Sequence, residues 1–120
     1  MITQFADEYL TTWTEPDQQR RNAIIEQVWA ADGVMSVSSL GITLKGVADI
    51  AAHITRVHDD MIAGKGLQFV YDQEVASGDA TLLRWSMLTL NEDVTGRGVD
   101  IVFRNTAGRV TAVHMFMGIN

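Results

Sequence analysis

Near the N-terminus the apolar residues Ile2, Phe5, Ala6, Tyr9, Leu10 and Trp13 recur at i, i+3, i+4 and i+7, which puts them on one broad face of an amphipathic helix. Pro16 and Asp17 then restart the chain, because proline suits a first helical turn and an early carboxylate complements the helix dipole. Ile24, Ile25, Val28 and Trp29 form a second apolar stripe, closed by the turn-forming pair Asp32-Gly33, which predicts a helix over about 17–30. Alternation over 34–38 and over 42–45, either side of Leu40-Gly41, predicts a short hairpin. Val47, Ile50, Ala51, Ile54, Val57 and Met61 return to helical spacing until Gly64 and Gly66 stop it.

The second half reads as strands over 67–76, 80–90, 97–104 and 109–118, separated by short polar, glycine-bearing turns. Such a run makes an antiparallel meander. Helices gathered at one end of the chain and long strands at the other predict the α+β class, with three N-terminal helices packed on one face of a mainly antiparallel sheet. Within the strands, Leu83, Trp85 and Met87 share one face, as do Val113, Met115 and Met117, so Arg84, Ser86 and His114 turn outward. The third strand is ambiguous: Val99, Ile101 and Phe103 make one set, and Gly98, Asp100 and Val102 the other. A sheet apolar on both faces predicts a homodimer through the outer one.

Composition narrows the function classes. The 120 residues make a single domain over 1–120 with one core, and 47% apolar residues with one proline are globular proportions. A net charge of −6 without a run of Lys or Arg argues against nucleic acid and anionic membrane as partners, leaving neutral or cationic small molecules. With no cysteine there is neither a disulfide nor a thiolate zinc site, which fits a reducing cytoplasm. Asp7 and Glu8 are foreign to a signal peptide, and no stretch is long enough to span a bilayer. No metal and no cofactor are expected: His53 and His58 are five residues apart, some 140° round a helix, rather than on the shared i, i+4 face of a metal pair.

The segments YLTTWTEPD, VWAADGV, KGVADIAAHI and GVDIVFRNTAGRVTAVHMFMG, in that order and spacing over nearly the whole chain, resemble the SnoaL-like and ketosteroid-isomerase-like branch of the nuclear-transport-factor-2-like superfamily. The resemblance implies a cone-shaped, strongly curved sheet and places Asp100 on its concave face, where ketosteroid isomerases hold a protonated Asp within an oxyanion hole. It sets Tyr9 at the position of the other oxyanion donor and His53 at a position lining the cavity. The carboxylate base of those isomerases would fall near Val37, and neither Ser36, Val37 nor Ser38 can take a proton from carbon at neutral pH.

Each residue also has a plainer reading: Asp100 as an exposed strand residue, Tyr9 as a core tyrosine, and His53 as a structural histidine. Trp13, Trp29, Trp85, Val37, Val113, Met115 and Met117 are the candidate pocket walls, and aromatics on such stripes serve equally as core. A carboxyl among these side chains would have its pKa raised by desolvation and could exchange protons near neutral pH. The functional expectation is a protein that holds a hydrophobic small molecule, either as an isomerase or cyclase-type enzyme moving a proton next to a carbonyl, or as a non-catalytic binding or accessory module.

Overall fold

The computed structural model describes residues 3–119, so Ile2 of the first apolar stripe lies outside the described residues. Helix α1 (Gln4–Thr14) begins where Thr3 caps it, its hydroxyl accepting from the Ala6 amide. This face buries Ala6, Tyr9 and Trp13. Helix α2 (Gln18–Val28) is capped by Asp17, whose carboxylate accepts from the Arg20 amide at 2.9 Å. Both caps satisfy amide groups that a helix start leaves without a partner.

Strand β1 (Trp29–Val37) follows α2 at once, which corrects the expected helix over 17–30 and the turn at Asp32-Gly33. Trp29 turns extended, at φ −91° and ψ 142°. The strand runs parallel to the last strand of the chain, with a register shift between Trp29 and Val34, so Asp32-Gly33 lies in an irregular stretch of strand. Gly33 has a steric reason to be glycine, because a Cβ there would stand 2.5 Å from Cε3 of Trp29. The helical spacing of Ile25, Val28 and Trp29 continues locally, but pairing with a strand some 80 residues away decides the conformation.

The expected hairpin forms between β1 and β2 (Ile42–Lys45). Helix α3 (Val47–Val57) buries Ile50, His53 and Ile54, then widens into a π-helical turn over His58–Ala63 rather than continuing as α-helix to the glycines. Strands β3 (Gln68–Ser77), β4 (Ala80–Leu88), β5 (Val94–Arg104) and β6 (Val110–Met117) make the meander, with β5 starting ahead of the expected residue 97.

The six strands form one sheet in the order β2-β1-β6-β5-β4-β3, antiparallel except for the β1–β6 pair. The fold is α+β, an open and cone-like sheet with the helices on its concave side. Pairing removes the ambiguity of β5. Asp100 stands opposite Leu83 on one side and Met115 on the other, and Met115 opposite Val37, so these four share the concave face. Val102 lies on that face with Val113 and Met35, all fully buried. Val99, Ile101 and Phe103 take the outer face, where Phe103 meets His114 edge-on at 6.0 Å.

Candidate functional site

A cavity of about 480 Å³ opens between the concave face and the helices α1 and α3, a size suited to a small organic ligand. Trp13 enters from α1, His53 from α3, Phe69 and Tyr71 from β3, and Trp85 from β4. Val37, Met115 and Met117 complete the sheet wall, while the exposed Arg56, Asp60 and Leu40 lie at the rim.

Asp100 reaches this cavity and is only 2% exposed. Its Oδ1 accepts a hydrogen bond from Nε1 of Trp85 at 3.0 Å. Among the described residues it forms no ion pair. Burial raises its pKa from 3.8 to about 7, against the opposing effect of the Trp85 hydrogen bond, which favours the ionised form.

Gly98 makes that hydrogen bond sterically possible. It stands opposite Trp85 in the β4–β5 ladder, and the indole occupies the space of a Cβ: Cε2 would lie 2.6 Å from one, and Cζ2 closer still. The ring therefore lies flat across β5 toward Asp100, two residues along the same face.

Tyr9 lies near enough to Asp100 to feel its charge. It is fully buried and outside the cavity lining, its ring stacked on Phe5 at 6.2 Å and tilted against Trp29 at 6.5 Å. Among the described residues its hydroxyl makes no hydrogen bond of full geometry, though it lies close enough to Trp13 for a weak polar contact that partly offsets the upward shift of its pKa. Tyr71, which the sequence reading passed over, supplies a phenol to the cavity. Burial and then the charge of Asp100 hold both phenols well above their usual pKa of 10, so both stay protonated. The signal for Tyr71 is its alternation with Phe69; pairing with Trp85 turns Tyr71 inward, and the register shift that follows ends the alternation there.

His53 is buried in the cavity wall with its ring edge-on to Trp13 at 6.2 Å. Burial, then the neighbouring Arg56 charge, lower its pKa, so it is a neutral imidazole at neutral pH. His58 is also buried, but its Nδ1 is committed to the Trp13 carbonyl at 2.7 Å. His114 is exposed on the outer face.

Two expected walls need correction. Trp29 and Val113 are buried in the core cluster and do not line the cavity. Trp29 starts β1 before the register shift and packs against Tyr9, and Val113 lies opposite Val102, farther along the sheet than the Asp100 row. Among the described residues no group of three or more His, Cys, Asp or Glu is placed to hold a metal, and no helix is long and apolar enough to cross a membrane.

No family model matches the chain, and no curated protein does. Solved structures do. A candidate isomerase of the SnoaL-like family from Agrobacterium tumefaciens is 28% identical and superposes with a TM-score of 0.83 over 94% of this chain and 93% of that one. A protein of ketosteroid-isomerase-like fold from Catenulispora acidiphila, in complex with trimethylamine, is 16% identical with a TM-score of 0.74, over 97% and 86% of the chains. A candidate polyketide cyclase from Sinorhizobium meliloti is 15% identical with a TM-score of 0.66, over 95% and 94%.

Proposed function

Starting from a chain whose fold is that of the SnoaL-like and ketosteroid-isomerase-like branch of the nuclear-transport-factor-2-like superfamily, we propose that it binds a hydrophobic carbonyl compound and moves a proton next to the carbonyl. The observation that carries this reading is Asp100: a carboxyl with no ion-pair partner among the described residues, buried in an apolar cavity, with its pKa brought to about 7. At that pKa it both donates and accepts a proton near neutral pH. In the proposed reaction its acid form donates to the carbonyl oxygen, with Tyr71 as a second neutral donor to charge developing there. Neutral His53 on the same wall is the group proposed to accept the carbon-bound proton, since the family resemblance puts the carboxylate base near Val37, which has no basic group.

The test is solvent deuterium exchange at the α-carbon of a planar hydrophobic ketone, followed by NMR. Wild type should accelerate exchange, and Asp100→Asn should lose at least about 100-fold of it with its circular dichroism unchanged. Exchange at the wild-type rate in Asp100→Asn would remove the proposal.

Val37 favours a second reading, a binding module without turnover. Trp13, Tyr71 and Trp85 around the Asp100 carboxylate would suit a small amine through cation–π and charge attraction, and the Catenulispora neighbour carries trimethylamine. This reading expects thermal stabilisation by an alkylamine and no exchange. In either case we propose a homodimer through the outer sheet face, where Phe116 is 43% exposed, and a cytoplasmic location in keeping with the absence of cysteine. Sedimentation velocity at micromolar concentration tests the dimer.

A further inference from the structure

We infer that Trp85 is a positioning residue for Asp100: seated on Gly98, its indole holds Oδ1 and leaves Oδ2 as the oxygen that carries the acid proton. The inference deepens the function proposed above and rests on it only for the claim that Asp100 meets the ligand.

An indole N–H can donate and cannot accept. Oδ1, bonded to it at 3.0 Å, must therefore be the accepting oxygen in both protonation states. A carbonyl oxygen accepts better than a hydroxyl oxygen, so in the neutral form this bond favours the single acid proton on Oδ2. Without that bond the two oxygens would be equivalent, and the carboxyl could present either to a ligand.

The bond is built into the sheet. Trp85 and Gly98 are opposed in the β4–β5 ladder, and Asp100 follows Gly98 by two residues on the same face. The indole fills the place of a Cβ at Gly98, and that same place lies 2.6 Å from the Phe116 carbonyl oxygen, so a side chain there has no room beside the ring. Phe69 also packs against the indole edge-on at 6.0 Å. Contacts with Gly98 and Phe69 hold the ring at the orientation that points Nε1 at Oδ1.

Other ionisable groups near Asp100 do not substitute for this bond. Tyr71 from β3 shares the cavity and Tyr9 from α1 is buried close by, both as neutral phenols. His53 and Arg56 from α3 and Asp60 from the π turn line the cavity or its rim, and none is hydrogen-bonded or ion-paired to Asp100.

A carboxyl-carbon NMR titration of Asp100, in protein enriched with carbon-13 at aspartate, tests the inference without a ligand. Trp85→Phe removes the donor, and Gly98→Ala displaces the ring while keeping the indole. Both should raise the Asp100 midpoint by about one pH unit, because a hydrogen bond that favours the carboxylate is lost. Met115→Leu, which changes the same wall without touching that bond, should leave it in place. The inference is overturned if neither Trp85→Phe nor Gly98→Ala raises the midpoint, or if Met115→Leu raises it as much. Should Gly98→Ala fail to fold, Trp85→Phe with the Met115→Leu control decides alone. A wild-type midpoint near 4 would instead sink the proposed function, so the two failures are separable.

Discussion

Nδ1 of His58 donates to the carbonyl oxygen of Trp13 across 2.7 Å, joining the first residue of the π-helical turn to the last turn of α1. A carbonyl can only accept, so the proton is on Nδ1. The last carbonyls of a helix lack intrahelical donors, and this one is buried, so the imidazole satisfies a group that would otherwise be costly. The same bond holds Trp13 where it forms the cavity wall. His58→Ala should destabilise the fold by about 1–3 kcal/mol in urea unfolding. A change within 0.5 kcal/mol would show that water replaces the imidazole at no cost.

Stability should fall with pH because of Asp100. Its folded pKa of about 7 lies above the ordinary 3.8, so the native state binds this proton more tightly than the unfolded chain does. That contribution is complete below about pH 4, erodes as pH rises, and is gone above about pH 7. Asp100→Asn keeps the shape and has no such proton. Between pH 4 and pH 8 wild type should therefore lose on the order of 4 kcal/mol relative to the variant. Parallel stability curves for the two proteins would contradict the buried, raised acid.

The two tyrosines should behave oppositely when their hydroxyls are removed. Tyr9 buries a hydroxyl that makes no hydrogen bond of full geometry among the described residues, so Tyr9→Phe should be neutral or stabilising by up to about 2 kcal/mol in thermal unfolding. It should not slow α-proton exchange. Tyr71→Phe removes the phenol that faces the cavity and should slow exchange by about tenfold or more. An exchange rate that falls in Tyr9→Phe and holds in Tyr71→Phe would reassign the donor to helix α1.

Gly33 should tolerate no side chain. A Cβ there meets Trp29 Cε3 at 2.5 Å and the Ala30 carbonyl oxygen at 3.1 Å, and the tryptophan is itself 1% exposed, so the ring has nowhere to retreat. Gly33→Ala should cost about 1–3 kcal/mol by overpacking, read as a lower urea midpoint. An unchanged midpoint would mean that β1 shifts freely at its irregular stretch.

Much of this protein is legible in one dimension. The apolar face of α1, the stripe Ile50 and Ile54 of α3, and the alternating sets Leu83-Trp85 and Val113-Met115-Met117 all follow from side-chain periodicity, which a chain exhibits before it folds. So do the α+β class and the hairpins. The resemblance in motif order placed Asp100 on the concave face, where β-sheet register then set it opposite Leu83 and Met115.

The rest was decided by contacts between residues distant in sequence. Trp29 continues a helical stripe yet enters a strand, because β6 offers a parallel partner that no local window contains. Tyr9 and Tyr71 have the same chemistry, and only packing buries the first beneath the wall and turns the second into the cavity. Gly98 reads only as a member of the Asp100 face of its strand until the indole of Trp85 is laid over it. Periodicity tells which side of an element a residue takes; depth, partner and protonation depend on what the other elements bring to that side. For Asp100 the sequence by itself determined a carboxyl in an apolar stretch, and tertiary structure decided its burial, its bond to Trp85 and hence an acid that titrates near 7.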